Sequence, residues 1–223
     1  MNQPLLVFRS LVLLTFLILL LLYSNSANAA IGLRFAQARP YGDLKFIFKN
    51  APSIELFYVH TSQSDRWRGR MGGGYAKLSA KLDTFSTYSV ENGNPTRLLP
   101  GYFRYTRFDM AYLFMDYSYT VVKMKDFGLH VGFGLTVGLY QRDYERSVTG
   151  LIHETASLQD GMGGFRSMIG VDYKLGKHMV LFAEAMNNAL VSTTWDKIGH
   201  NTLGIGIIYF PGESRNNNYY PLP

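Results

Sequence analysis

Between Phe127 and Tyr140 the chain alternates between two kinds of side chain. Odd positions read Phe127, Leu129, Val131, Phe133, Leu135, Val137 and Leu139, and even positions read Gly128, His130, Gly132, Gly134, Thr136, Gly138 and Tyr140. A period of two places each set on one face of a β-strand. A helix here would carry four glycines, at about 1 kcal/mol each relative to alanine. One face is large and apolar along its whole length. The other is small, and glycine, where a solvated strand would carry Lys, Glu or Thr, indicates a crowded face.

The same division recurs along the chain. Ile31, Leu33 and Phe35 alternate with Gly32, Arg34 and Ala36; Trp67, Met71 and Tyr75 alternate with Arg68, Arg70, Gly72 and Gly74. Ala111 to Tyr119, Phe165 to Tyr173 and Leu203 to Tyr209 behave alike. Ser53–Thr61 and His178–Ser192 fit less cleanly, with apolar residues in both phases, and Glu55 and Glu184 are assigned to the inner face. Eight strands are predicted, at 31–38, 53–61, 67–79, 102–121, 127–148, 163–175, 178–192 and 201–210. Their connections alternate in length. Ser62–Arg66, Val122–Asp126 and Gly176–Lys177 are short, whereas Arg39–Pro52, Ala80–Gly101, Thr149–Met162 and Thr193–His200 are long. An even strand number, with short turns on one rim and long loops on the other, predicts an all-β fold: an eight-stranded antiparallel transmembrane β-barrel of the outer-membrane kind, with periplasmic turns and extracellular loops.

The N-terminal segment agrees with that compartment. Arg9 precedes the aliphatic run Leu11–Leu22, and Ala27-Asn28-Ala29 follows it, which is the three-part form of a secretory signal peptide. Residues 1–29 are read as that leader rather than as an uncleaved anchor, 30–212 as the barrel and 213–223 as a flexible periplasmic tail. The 223 residues include no cysteine, which excludes disulfide scaffolds, Cys-ligated metal centres, Cys nucleophiles and a cysteine-linked lipid anchor. Charged residues are 17% and aromatics 15%, which is not the composition of a disordered chain.

If the large apolar residues face lipid, the other face lines the barrel. The lipid-facing set is Phe127, Leu129, Val131, Phe133, Leu135, Val137 and Leu139, with Leu203, Ile205 and Ile207. The lining collects Arg34, Arg68, Arg70 and Arg166 against Glu55, Asp116, Asp172 and Glu184, with His130 among them. An eight-stranded barrel is just wide enough to be filled by side chains, and buried charges are tolerated only when paired. The expectation is a lumen plugged by an ion-pair network. Tyr58, Trp67, Tyr117, Tyr119, Tyr173 and Tyr209 fall near the short-turn ends of their strands, where amphipathic rings suit the headgroup level, and are read as an aromatic girdle.

No catalytic, metal or cofactor site is assigned. His60, His130, His153, His178 and His200 form no HExxH or i, i+4 pair, and Gly72-Gly73-Gly74 opens no helix. Ser147 and His153 meet near the outer rim in an alternative reading as a lipid A-modifying hydrolase or acyltransferase. A small-solute pore is a second alternative, and a soluble lipocalin-like barrel a third. The net charge of +6, one unit of which is Arg9, is spread along the chain, so nucleic acid is not a partner. The partners expected are outer-membrane lipid, lipopolysaccharide phosphates at the outer rim, and periplasmic or outer-membrane proteins.

The whole region after the leader resembles the small outer-membrane barrels of the OmpA, OmpX and OmpW type. Ala38-Arg39-Pro40-Tyr41-Gly42-Asp43 with Phe46-Ile47-Phe48-Lys49, and Leu82-Asp83-Thr84-Phe85 before Leu99-Pro100-Gly101-Tyr102, resemble barrels of the Bacteroidota. That resemblance implies a structural or accessory role, including in type IX secretion and gliding, and carries over no functional residue. The chain departs from the pattern at its end: such barrels commonly finish on an aromatic residue, and here thirteen residues follow Phe210.

Overall fold

A computed structural model describes residues 29–42, 44–62, 66–91, 94–148, 152–192 and 198–211. The proposed leader, apart from Ala29, and the proposed tail lie outside these residues. Nine strands are described: β1 (Ala29–Gly42), β2 (Ala51–Thr61), β3 (Trp67–Leu78), β4 (Phe85–Glu91), β5 (Asn94–Lys123), β6 (Phe127–Val148), β7 (Ile152–Leu175), β8 (Met179–Ser192) and β9 (Ile198–Tyr209). One short helix, α1 (Leu44–Ile47), follows β1.

Eight of the strands close into a ring. All pairings are antiparallel, in the order β1–β2–β3–β5–β6–β7–β8–β9, with β9 returning to β1. Following cross-strand partners from Arg39 leads through Asn201, Asn187, Ser167, Phe133, Tyr117, Gly69 and His60 to Ala29. The circuit ends ten residues before it began on the same strand. With a rise near 3.3 Å and a strand spacing near 4.8 Å, that stagger tilts the strands by about 40° and gives a backbone radius of about 8 Å. Only side chains fit inside such a ring.

Two of the expected loops prove to be strands. The segment Ala80–Gly101 contains β4, which pairs with the outer part of β5, from Phe85↔Phe103 to Glu91↔Asn94. The segment Thr149–Met162 is mostly β7, which pairs with β6 without a break out to Val148↔Ile152. β8 stops at Ser192, opposite Met162. Together β4, β5, β6 and β7 therefore project past the ring as one sheet. The sequence reading carries β6 out to Val148 but misses β4, the start of β5 before Tyr102 and the start of β7 before Gly163; in the last of these Glu154, Thr155, Ser157 and Gln159 do not alternate with a run of apolar residues. Backbone pairing to a neighbour supports those strands without a buried face to mark them.

Burial divides the ring cleanly. Along β2 it alternates from Ala51 to Thr61, and along β8 from Met179 to Leu190, with outward residues exposed and inward ones buried. Outward-facing Phe133 is 65% exposed and Ile205 68%. Leu129, Leu139 and Ile207 also point outward and are half-buried among outward neighbours. Inside, two levels differ in chemistry. The outer mouth is filled by Leu44, Phe48, Leu78, Phe108, Met110, Tyr140 and Ile198, all buried. The level beneath carries the charges.

Candidate functional site: the lumenal charge network

Arg34 on β1 and Glu55 on β2 are direct cross-strand partners, both facing inward. Their guanidinium and carboxylate meet at 2.8 Å. Arg34 also reaches Glu184 on β8 at 3.3 Å. Glu184 pairs with Arg70 on β3 at 2.6 Å, and Arg70 with Asp116 on β5 at 3.6 Å. Asp116 lies 3.4 Å from Nε of Arg166 on β7, whose Nη2 returns to Glu55 at 3.2 Å. The six groups thus form a closed ring of alternating sign, Arg34–Glu184–Arg70–Asp116–Arg166–Glu55. Three positive and three negative charges cancel within it.

A branch leaves the ring at Glu184. His130 on β6 places Nε2 at 2.9 Å from Glu184 and Nδ1 at 3.3 Å from Asp172. Asp172 pairs with Arg68, which also donates to Thr120 at 3.3 Å. All nine residues predicted for the network lie in this one cluster, and each is at least 95% buried. Isolated charges so placed would cost several kcal/mol each; here every one has an opposite partner.

Glycine explains how side chains on non-adjacent strands meet. Asp116 and Arg166 both lie across from Gly134, on opposite sides of β6. A Cβ at Gly134 would stand 2.2 Å from Asp116 Oδ1. Gly170 separates His130 from Glu184 in the same way, and a Cβ there would be 2.5 Å from Glu184 Cγ and 2.6 Å from His130 Nε2. Gly74 lies between Glu55 and Tyr112, whose hydroxyl donates to Glu55 at 2.8 Å. Each of these three glycines is a gap over which its two flanking strands make contact. The crowding inferred from the glycine-rich face has this geometric form.

Several participants were missed from sequence. Tyr112 is one. Phe57 and Phe114 are others: the Arg70 guanidinium sits 5.4 Å from the Phe57 ring and that of Arg166 sits 3.9 Å from the Phe114 ring. Tyr112 and Phe114 share the inward phase of Asp116, but only the charged members of that face are collected from the sequence, and in β2 apolar residues occupy both phases. His200 is also buried in the lumen, its ring 6.1 Å from that of Tyr112. Outside the ring, Trp67 and Tyr119 pack at 4.9 Å and Arg66 donates to the Tyr119 hydroxyl at 3.0 Å. Tyr117, Tyr173 and Tyr209 are exposed near the same rim, and Tyr58 is half-buried. In the projecting sheet Phe103 stacks on Tyr144 at 4.6 Å and packs on Tyr105 at 5.2 Å; burial there raises the Tyr105 hydroxyl above its ordinary pKa.

Ser147 and His153 stand opposite each other in the β6–β7 hairpin, with His153 exposed. Among the described residues no cluster of His, Asp or Glu is arranged to hold a metal ion, and no helix is long and apolar enough to cross a membrane.

No protein-family model matches the chain, and no curated protein matches it. Its fold does match solved structures. Neisserial surface protein A superposes with a TM-score of 0.52 at 11% identity, over 82% of this chain and 97% of that one. A major outer membrane protein from Thermus thermophilus gives 0.50 at 12% identity, over 81% and 98%. The chain therefore has the fold of the small closed outer-membrane β-barrels.

Proposed function

We propose that the protein is a non-enzymatic β-barrel of the outer membrane, serving as a structural or binding component of the cell envelope. The observation that carries this reading is the inversion of the usual protein plan: the charges are buried and the outer wall is apolar. Phe35, Phe133, Leu135, Val137, Phe165, Leu203 and Ile205 form an exposed apolar belt around a neutralised ionic interior. In water that belt would be an aggregation surface far larger than soluble monomers present; in hydrocarbon it is the solvated surface.

A sealed lumen favours structure or binding over transport. The charge ring spans the interior, and Leu44, Phe48, Phe108 and Tyr140 fill the mouth above it. The projecting β4–β7 sheet supplies the surface for partner proteins, since binding residues concentrate on segments held out by a rigid scaffold. The finer role of accessory to a secretion or gliding apparatus rests on the sequence resemblance alone. Crosslinking and pull-down from native envelopes tests the binding role; recovery of the barrel without any envelope protein would remove it. Unboiled protein migrating differently from boiled protein tests the barrel, and release from membranes by carbonate would count against it. Unchanged lipid A mass spectra with and without the gene are expected, and a changed spectrum would restore the enzyme reading.

A further inference from the structure

The connection from β1 to β2 is built with two opposed faces. Leu44 and Phe48 point into the barrel mouth and are buried. Phe48 packs on Phe108 at 4.5 Å and on Tyr105 at 5.4 Å. Backbone bonds tie the segment to the chain just past β3: Lys49 N–H donates to Ser79 at 2.8 Å and Lys81 N–H to Ile47 at 2.7 Å. The Lys81 ammonium donates to the Lys45 carbonyl. The opposite face is thereby held in place, and it presents Lys45, Phe46, Lys49, Lys81 and Leu82, all exposed.

The charge on this face is one-sided. Residues 39–49 and 77–83 carry Arg39, Lys45, Lys49, Lys77 and Lys81, all exposed, against two carboxylates in the sequence, Asp43 and Asp83. Lys77 stands across from Asp109; Lys45, Lys49 and Lys81 cluster around the strap itself. Phe46 is 68% exposed, with the Lys45 ammonium 4.8 Å from its ring centre. A flat apolar ring beside the Lys45 ammonium, with Lys49 exposed on the same connection and Lys81 on the segment hydrogen-bonded to it, complements a phosphorylated sugar, whose ring face stacks and whose phosphates take the charge. Height agrees. Tyr75 is the last apolar outward residue of β3, which ends three residues later at Leu78; at about 2.5 Å of height per residue on a tilted strand, the connection and its lysines begin roughly 8 Å above the belt's margin, in the sugar and phosphate layer of an outer leaflet.

We propose that the β1–β2 strap and the end of β3 form a binding site for the phosphorylated headgroup sugars of an outer-leaflet glycolipid, with Lys45, Lys49 and Lys81 on phosphate and Phe46 against a sugar ring. This deepens the outer-membrane reading and rests on it. The site is preorganised, because its inner face is anchored in the mouth, so little ordering is left to oppose binding.

The test is native mass spectrometry of the full folded chain in detergent, with bisphosphorylated lipid A as the probe and dephosphorylated lipid A beside it. The triple variant Lys45→Gln, Lys49→Gln, Lys81→Gln should lower lipid A occupancy about tenfold or more, since each cation near an anionic lipid surface contributes measurably to binding. Phe46→Ser should lower it less. A control removing equal charge at the opposite end, Lys125→Gln, Lys174→Gln, Lys177→Gln, should match wild type, and dephosphorylated lipid A should bind wild type no better than the strap variant binds the probe. Strap and wild-type proteins binding alike, equal binding of both lipids, or tighter binding of an acidic peptide than of lipid A would overturn the proposal. Gel mobility of unboiled samples separates the two failures. Folded variants with undiminished binding sink the site alone, whereas a wild type with no folded band sinks the barrel reading beneath it.

Discussion

Glu184→Gln is the sharpest perturbation of the lumen. The Glu184 carboxylate meets Arg34, Arg70 and His130 within 3.3 Å, and its side chain is 1% exposed. Gln keeps the volume and removes one negative charge, so four arginines face three carboxylates and both Arg34 and Arg70 lose a partner. Removing one member of a buried ion pair costs about 3–5 kcal/mol. Arg34 keeps Glu55 and Arg70 keeps Asp116, which holds the expected loss toward the lower end, about 3 kcal/mol. Unfolding by urea in detergent micelles, followed by gel mobility, reads this directly. With a slope of about 1–3 kcal/mol per M, the midpoint falls by about 1–3 M. The double variant Glu184→Gln, Arg70→Gln restores charge balance, and its loss should be smaller than the sum of the single losses by about 1–3 kcal/mol, as expected of groups in contact. An unchanged midpoint for Glu184→Gln, or strictly additive losses, would mean that the ring is not an energetic unit.

Gly170→Val should abolish the folded gel band, because a Cβ would enter the space of Glu184 and His130; a normally migrating variant would show that the glycine gaps are not needed. Phe133→Arg, at an outward position 65% exposed, should cost about 2–4 kcal/mol in a bilayer, and equal stability of variant and wild type would argue that this face does not touch hydrocarbon. Planar bilayers holding wild-type protein should show no steady conductance, since charges and the Phe48 layer fill the lumen. A steady open state, raised further by Arg68→Ala or Glu184→Ala, would replace the structural reading with a pore. Phe48→Ala should lower stability by about 3–5 kcal/mol through the cavity left among Phe108, Tyr105 and their neighbours; a loss under about 1 kcal/mol would show that the mouth is loosely packed.

The two faces of each spanning strand were legible from the sequence because the pleat is local. Whether Leu129 points away from His130 depends on nothing beyond the strand itself. Arg34 and Arg166 followed from that parity; Glu55 and Glu184 did not, because apolar residues occupy both phases of their strands. The projecting half of β7 was illegible for the converse reason: Glu154, Thr155, Ser157 and Gln159 bury no face, and only pairing with β6 makes them a strand. Phe114 shares the phase of Asp116 and Phe57 lies on a strand with apolar residues in both phases; both went unassigned to the lumen because only charged residues were collected there.

Which inward charge meets which was settled by the closed ring. Arg34 and Glu184 are 150 residues apart in the chain, and no spacing in the sequence predicts their contact. It exists because β9 returns to β1 with a stagger of ten residues, setting the tilt, the radius and hence the level at which each arm enters the lumen. The strap is a tertiary product as well: the sequence offers Leu44, Lys45, Phe46, Phe48 and Lys49 as an ordinary loop, and only the apolar mouth, by taking Leu44 and Phe48, turns the lysines outward together. Parity within a strand is fixed by covalent geometry; partnership across a barrel is fixed by closure.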